Sequence, residues 1–346
     1  MSKPLVLVTG SLGQLGSAIQ QHWDASQMAA SYELLPTDID QLDLTDADDL
    51  IAYLDQLRPA IIINTAAYTR VDEAETNREV AYAVNAKAVL SLAKWCRVSG
   101  CKLIQISTDF VFDGSAAAPY STDAKTNPLS VYGASKLAGE NHVLDLLPDT
   151  GYVVRTSWLY SEYGSNFVKT MLRLMKHRPE LKVVNDQIGS PTSVHTLAHY
   201  LFELIRTGAK PGVYHWCDGG EISWFQFAQE IYQQGREEGL LDGEVAVQPI
   251  AGSDYPTAAT RPAYSVLDRA TSLTMMGGTA EAWQSALKLV LINLARAARE
   301  PQGNHHRRNP ERCRLCNRLL RKMAPRPFLG TKPIRAVRSL ANRARL

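Results

Sequence analysis

Short apolar runs alternate with longer stretches of mixed polarity along the first three hundred residues. Each run ends in small or polar residues, which is typical of a strand buried in a parallel sheet. The runs are Pro4–Val8, Tyr32–Asp38, Ala60–Asn64, Lys102–Asp109, Tyr152–Ser157, Leu181–Val184 and Gly212–Trp216. The stretches between them predict helices over Ser17–Trp23, Val80–Trp95, Asn166–His177, Val194–Thr207 and Ser223–Gly235. This alternation predicts an α/β fold, a Rossmann-type doubly wound parallel sheet with a smaller C-terminal lobe.

The first predicted strand leads into a glycine-rich turn, Thr9–Gly16, with glycines at Gly10, Gly13 and Gly16. Such a turn between a strand and a helix lets a diphosphate approach the backbone and the positive end of the helix. A purely structural glycine-rich turn is the alternative. We expect a nicotinamide dinucleotide here, with Gln14 and Leu15 among the binding residues. The domains predicted are a dinucleotide-binding domain over 1–165, a partly interleaved substrate-binding lobe over 166–300 and a basic tail over 301–346.

Asp38 ends the second predicted strand, where a carboxylate binds the adenosine ribose hydroxyls in folds of this kind. No lysine or arginine follows it directly, so the position favours NADH over NADPH. The cofactor is predicted to be NADPH or NADH. Further residues at strand ends are predicted to contact it: Asp43, Leu44, Ala67, Tyr68, Thr69 and Ile106.

Tyr132 and Lys136 stand four residues apart in a segment with few helix breakers. On a helix they share one face, about one turn apart. An ammonium beside the phenol favours the phenolate, so we predict a lowered tyrosine pKa and proton exchange with a carbonyl or alcohol oxygen. Thr108 ends the Lys102–Asp109 run, where a hydroxyl can bind a substrate oxygen. A turn that only caps the strand is the alternative.

Two further side chains allow two interpretations each. Asn85 is either a buried structural amide or a hydrogen-bond partner of the cofactor. Arg261, in the segment Thr260–Pro262, either grips a phosphate or bridges the surface. The sequence alone does not decide between these roles.

The net charge of +2 hides an asymmetry between the body and the tail. Residues 301–346 hold 13 Lys and Arg against Glu311 alone, a net +12, so the rest carries −10. We interpret the tail as a disordered extension, with RNA or membrane binding and a zinc half-site at Cys313 and Cys316 as alternatives. Five scattered cysteines and no apolar run of membrane-spanning length predict a reducing cytoplasm, with no membrane or nucleic-acid binding by the body.

Taken together, several ordered motifs resemble the dTDP-4-dehydrorhamnose reductase family of the extended short-chain dehydrogenase/reductase superfamily. The resemblance covers roughly residues 1–297. Besides the Tyr132/Lys136 pair, its motifs are Gly13–Gly16, Asn64–Thr69, Ser107–Gly114, Pro128–Gly133, Arg155–Tyr160, Asn185–Thr192 and Arg261-Pro262.

The resemblance implies the last step of dTDP-L-rhamnose synthesis, which supplies cell-surface polysaccharide such as O-antigen. It implies that Tyr132 protonates the oxygen of a C4 ketone, that Lys136 tunes the tyrosine and holds the nicotinamide ribose, and that Thr108 binds the keto oxygen. Asp109, Trp158 and Arg261 are the other expected substrate-binding residues. For Trp158, the alternative is an ordinary core tryptophan.

The resemblance also implies a homodimer, and some family members use Mg²⁺ at a dimer contact through a glutamate just after the glycine loop. Ser17-Ala18 stands at that place here, so no metal ligand is predicted. Two other functions stay open: a non-catalytic subunit on the same fold, such as the regulatory subunit of methionine adenosyltransferase, and a related nucleotide-sugar reductase or epimerase acting on another sugar.

Overall fold

A parallel sheet forms the centre of the protein, as the apolar runs predict. The structure, a computed structural model, describes residues 3–278 and 281–299. Within those ranges the strands are β1 (Leu5–Thr9), β2 (Glu33–Thr37), β3 (Ile61–Asn64), β4 (Lys102–Thr108), β5 (Gly151–Thr156), β6 (Leu159–Tyr160), β7 (Glu180–Val184), β8 (Ile188–Gly189), β9 (Thr192–Ser193), β10 (Gly212–His215), β11 (Ile222–Ser223) and β12 (Ala246–Ile250). The main sheet has the order β10-β5-β4-β3-β1-β2, and all its neighbours pair in parallel.

Helices connect the strands and cover both faces of this sheet. In the same ranges they are α1 (Gln14–Trp23), α2 (Met28–Ser31), α3 (Ala47–Leu57), α4 (Val71–Ala74), α5 (Arg78–Tyr82), α6 (Ala88–Ser99), α7 (Val131–Leu146), α8 (Phe167–Met175), α9 (Val194–Arg206), α10 (Trp224–Glu237), α11 (Ala270–Met275) and α12 (Trp283–Arg299). Helix α1 packs against α9, and α3 packs against α6. The predicted α/β class and doubly wound parallel sheet are confirmed.

The strand order places a crevice at the carboxyl end of β1. The chain runs from β1 outward to β2 and then returns to the other side of β1 as β3. The connections on either side of β1 therefore diverge, and ligands of open α/β sheets bind in the crevice that this reversal creates. The register pairs Thr9 with Asn64 at this edge, and the Thr9 hydroxyl donates to the Asn64 side chain at 2.6 Å.

The residues after β5 contribute to the main sheet and also build smaller pieces beside it. Strand β10 returns to the main sheet next to β5. The pairs β12-β7, β11-β8 and β6-β9 form separate two-stranded sheets. A second apolar core, with Tyr160, Phe227 and Trp283 among its buried rings, lies under them. The boundary at 165/166 stays a prediction, and the predicted basic tail lies outside the described residues.

The predicted helix Val80–Trp95 is interrupted. Helix α5 ends at Tyr82, a π-helical turn spans Ala83–Lys87, and α6 begins at Ala88. The π turn carries Asn85, which is 1 % exposed. π turns often occur at functional sites. None of the described helices is long and apolar enough to cross a membrane.

Candidate active site

A cavity of about 930 Å³ opens at the carboxyl edge of the main sheet, in the crevice beside β1. It gathers almost every residue that the sequence predicts for the site. Those that line it are Gly10, Gly13, Gln14, Leu15, Asp38, Asp43, Leu44, Ala67, Tyr68, Thr69, Ile106, Thr108, Asp109, Tyr132, Lys136, Trp158 and Arg261. Gly16 is the exception, because it lies behind the turn.

The glycine-rich turn folds as its spacing suggests. Gly10 has a φ of +66°, a backbone conformation that favours glycine, and a Cβ there would lie 2.7 Å from the backbone nitrogen of Ala66. At Gly16 a Cβ would lie 2.5 Å from the carbonyl oxygen of Gly10. Gly16 therefore serves the close packing of helix and turn, and the cofactor contact predicted for it stays a prediction.

The N-terminus of α1 is suited to hold an anion. Gly13 is its N-cap residue, and no side chain of the described residues caps the helix. The first N–H groups of a helix lack partners within the helix and lie at the positive end of its dipole. Because Gly13, Gln14 and Leu15 line the cavity, a dinucleotide diphosphate fits this end of it.

Asp38 is fixed at the cavity wall by two backbone donors. Its carboxylate accepts from the N–H of Leu12 at 2.7 Å and from that of Ile39 at 2.9 Å. The charge of Asp38 thus joins the end of β2 to the glycine-rich turn. Among the described residues that line the cavity, the cationic side chains are Lys136 and Arg261. Asp38 therefore has no basic side chain on its own loop to receive a 2′-phosphate.

Asn85 holds the loop that follows β3. Its amide oxygen accepts from the N–H of Tyr68 at 2.9 Å, and its amide nitrogen donates to the carbonyl of Tyr68 at 3.0 Å. The same nitrogen donates to the hydroxyl of Ser135 on α7 at 2.9 Å. Of the two roles left open, the structure shows the buried structural amide, which fixes Tyr68 at the cavity wall.

Tyr132 and Lys136 lie in the first turns of α7, which confirms the predicted helix. Ser130 caps this helix by accepting from the N–H of Gly133. Lys136 is 4 % exposed, and its ammonium donates to the carbonyl of Ile106 at 2.6 Å. Burial lowers the pKa of Lys136 to about 8, and the negative charge of Glu140 opposes this decrease. An ammonium has three donors, so two N–H groups stay available for ribose hydroxyls.

The pKa of Tyr132 corrects a prediction. Burial raises the pKa of Tyr132 to about 12; the adjacent Thr108 hydroxyl acts in the opposite direction, and the charge of Asp109 adds to the increase. The expected lowering by Lys136 is therefore wrong, because desolvation disfavours the phenolate and the charge of Asp109 acts in the same direction. A phenol with this pKa is protonated at neutral pH and can donate its proton.

Thr108 and Asp109 form a hydrogen-bonded pair at the end of β4. The Thr108 hydroxyl donates to Asp109 Oδ1 at 3.0 Å and accepts from the N–H of Phe110 at 3.2 Å. Burial raises the pKa of Asp109 to about 6. For Thr108 to donate to a substrate oxygen, its hydroxyl hydrogen must rotate away from Asp109.

Trp158 and Arg261 line the same cavity. Trp158 stacks on Trp224 with ring centroids 3.5 Å apart, and its φ of +47° is unusual for a residue with a side chain. Arg261 makes a two-pronged ion pair with Asp72, at 2.7 and 3.1 Å. Its guanidinium is therefore already paired, which supports the bridging role more than the phosphate-gripping one.

Several residues at or beside the cavity were not predicted. Glu140 lies one turn beyond Lys136 and pairs with Arg155 on β5; its four-residue spacing from Lys136 was a signal that could have found it. The segment Gly164–Phe167 and Trp224 also line the cavity. Gln14 bridges to this segment, because its amide oxygen accepts from Ser161 and Asn166, each at 2.8 Å. Among the described residues, no group of three or more His, Cys, Asp or Glu is placed to hold a metal ion.

The chain is similar to several known proteins. The family profile described as RmlD substrate binding domain matches residues 4–296. The dTDP-4-dehydrorhamnose reductase of Aggregatibacter actinomycetemcomitans is 39 % identical over 82 % of this chain and 97 % of its own length. That of Salmonella typhimurium is 36 % identical over 76 % of this chain and 89 % of its own. The crystal structure of the Bacillus anthracis dTDP-4-dehydrorhamnose reductase in complex with NADP covers 84 % of this chain and 99 % of its own, with 39 % identity and a TM-score of 0.77.

Proposed function

The chain belongs to the RmlD family, whose relatives named above are dTDP-4-dehydrorhamnose reductases, and from this premise we propose how its residues carry out that reaction. The protein is an NAD(P)H-dependent oxidoreductase that reduces the C4 ketone of dTDP-4-dehydro-6-deoxy-L-mannose to give dTDP-L-rhamnose. The observation that carries this function is the meeting of Tyr132, Lys136 and Thr108 with the glycine-rich turn in one cavity.

The dinucleotide fits the half of the cavity between the glycine-rich turn and Asp38. When bound, the nicotinamide supplies the hydride for the ketone carbon, and the protein supplies orientation and electrostatics. The free N–H groups at the start of α1 hold the diphosphate. Asp38 accepts from the adenosine ribose hydroxyls, which favours NADH, and the two remaining donors of Lys136 hold the nicotinamide ribose.

Proton transfer is the task of Tyr132. The neutral phenol donates its proton to the ketone oxygen as negative charge develops there. Lys136, one turn away on α7, stabilises the phenolate left behind, and Thr108 donates a hydrogen bond to the same ketone oxygen after leaving Asp109. Trp158, stacked on Trp224, offers a flat apolar wall for the sugar nucleotide.

The direct test mixes the folded protein with NADH or NADPH and the dTDP-4-keto-6-deoxy sugar and follows the loss of reduced-cofactor absorbance. We expect turnover with the dTDP sugar and slower turnover with GDP- and UDP-linked 4-keto sugars. No turnover by protein that binds cofactor would refute the function. A strong preference for NADPH would refute the role given to Asp38.

Tyr132→Phe tests the proton donor. The variant keeps the ring but removes the proton, so we expect it to bind cofactor nearly as the wild type does and to lose about 10²–10⁴-fold in kcat, the usual contribution of general acid catalysis. Tyr163→Phe, which removes the hydroxyl that donates to Gln21 outside the cavity, is the matched control. Wild-type turnover by Tyr132→Phe would show that another group donates the proton.

The same premise extends to the setting of the enzyme. We propose that the enzyme acts in the cytoplasm, as its few, scattered cysteines predict. A homodimer is also proposed from the family resemblance, and size-exclusion chromatography with light scattering measures it directly.

A further inference from the structure

A buried polar network lies directly behind the proton-transfer pair. Glu140 on α7 is 0 % exposed, and Ser107 on β4 and Arg155 on β5 are 3 % and 4 % exposed. Arg155 donates to both Glu140 oxygens, at 2.7 Å from Nη2 and at 3.0 and 3.1 Å from Nε. The Ser107 hydroxyl donates to the remaining side of the carboxylate. Nothing in the mechanism described above uses these three side chains.

The network continues the arrangement of the catalytic residues. Tyr132, Lys136 and Glu140 follow one another at intervals of four, so they share one face of α7. Strand β4 packs against α7 and contacts both Lys136 and Glu140. The ammonium of Lys136 donates to the Ile106 carbonyl, and the carboxylate of Glu140 accepts from Ser107, the next residue of β4. Thr108 is the residue after that, so one strand holds both anchors and the expected ligand of the ketone oxygen.

We propose that Glu140 is a positioning residue of the site: held by Arg155 and Ser107, it fixes α7 against β4 and keeps a negative charge behind Lys136. This inference rests on the proposed reductase function. Removal of Glu140 would let α7 shift relative to Thr108, and Lys136 would lose its neighbouring anion. A displacement of about 1 Å can cost 10²-fold in rate when two groups must meet one reacting atom.

Other charged groups surround the same face of α7. Asp109 follows β4, Arg155 lies on β5, and His215 on β10 is 3.4 Å from Arg155. Glu75, after α4, accepts from the N–H of Val131 at the start of α7. Of these groups and Glu140, only Glu140 has a charge that perceptibly affects Lys136, and it raises the pKa of Lys136 against the effect of burial. Glu140 therefore helps keep Lys136 protonated near neutral pH.

Glu140→Gln tests the proposal, because it keeps the shape of the side chain and removes the charge. We expect about a tenfold lower kcat. We also expect the basic limb of the kcat/KM pH profile to move about one unit lower, because an opposite charge is lost near Lys136. The Kd for NADH, measured by fluorescence against pH, reports the same titration without turnover. A shift of this Kd profile in Glu140→Gln supports the role even if the wild type proves inactive on the dTDP sugar, an outcome that would refute only the reductase function.

Three further variants complete the test. Glu140→Asp keeps the negative charge, but its shorter side chain cannot make the same contacts with Arg155 and Ser107. We therefore expect the basic limb at its wild-type position and a kcat that stays low. Asp218→Asn removes another carboxylate that is 0 % exposed, one that accepts from the N-cap region of α9, and leaves the basic limb in place. If Glu140→Gln does not fold, Glu140→Gln/Arg155→Met removes the pair together and must show the lowered limb. An unmoved limb in the folded Gln variant or the double variant, or an equal shift in Asp218→Asn, overturns the proposal.

Discussion

Two polar networks of the protein, here called the floor and the rim network, differ in how far water reaches them. The floor network, Ser107, Glu140 and Arg155, is at most 4 % exposed. The rim network, His22 on α1, His195 on α9 and Glu162 before α8, is part-buried. Its links are 2.8 Å between the rings of His22 and His195 and 2.8 Å from His195 to Glu162, with 14 % and 15 % exposure for the last two side chains.

The two networks differ in how firmly their side chains are held and in the titratable groups that they contain. In the floor network three hydrogen bonds from Arg155 hold the Glu140 carboxylate in a site with little access to water. In the rim network, burial lowers the pKa of His22 to about 4, and the nearby His199 and His195 contribute to the decrease. Burial alone would raise the pKa of Glu162, but the hydrogen bond from His195 reverses the direction. The rim network therefore contains a histidine that takes up a proton as the pH falls toward 4.

The largest expected effect comes from breaking the floor pair. Arg155→Met leaves Glu140 buried without a counter-charge, and such a change costs about 3–5 kcal/mol of unfolding free energy. Denaturant titration measures it. Arg206→Met, at an exposed pair with Glu203, is the control, with an expected cost of about 0–1 kcal/mol. The double variant Glu140→Gln/Arg155→Met should recover much of the loss. Similar losses of unfolding free energy for Arg155→Met and Arg206→Met would show that burial does not make the floor pair more important for stability than an exposed pair.

A smaller effect is expected at the rim, and it depends on pH. His22 has a lower pKa in the folded chain than its ordinary 6.5, so between pH 4 and 6.5 the unfolded chain binds more protons. Stability due to neutral His22 is thus full above pH 6.5 and is lost as the pH falls toward 4. After allowance for solvent screening, we expect the wild type to lose about 1–2 kcal/mol more than His22→Gln across this window. Burial also lowers the pKa of His215, to about 3, so His215 contributes to the pH dependence of stability in both proteins. The quantity to measure is therefore the difference in unfolding free energy between the wild type and His22→Gln at each pH. His177→Gln, at an exposed histidine, controls for the loss of an imidazole. If the unfolding free energies of the wild type and His22→Gln depend on pH in the same way, His22 does not contribute to the pH dependence of stability.

The smallest effect concerns the outer end of the rim network. Asn293 on α12 donates to Glu162 Oε1 at 2.9 Å. Because Glu162 is partly exposed, water can replace this donor, and we expect Asn293→Ala to cost about 0.5–1 kcal/mol in a thermal or denaturant unfolding experiment. Asn141→Ala, on the exposed side of α7, is the control, since both substitutions change helix propensity in the same way. A loss of several kcal/mol of unfolding free energy would mean that water does not replace the Asn293 donor, so that the rim network is as inaccessible to solvent as the floor network.

The sequence allowed the sheet and most of the site to be predicted because both depend on local patterns. Strand ends such as Asn64 and Thr108 and the spacing of Tyr132 from Lys136 are visible within a few residues. The pairing of Glu140 with Arg155 depends on how α7 lies against β5, which no short pattern encodes. The pKa of Tyr132 was predicted in the wrong direction because spacing shows a neighbouring charge but not the degree of burial. The ion pair of Arg261 with Asp72 could not be predicted either, because the two residues lie 189 positions apart in the sequence.

The left-handed backbone at Trp158 belongs to a packing arrangement that joins three positions distant in the sequence. A side chain in that conformation is strained by about 1–2 kcal/mol, and stacking on Trp224 holds it there. A Cβ at Gly189 would lie 2.7 Å from the indole, so no larger residue can enter position 189 while the ring remains. Positions 158, 189 and 224 therefore pack as one unit, and a larger residue at 189 requires a smaller one at 158.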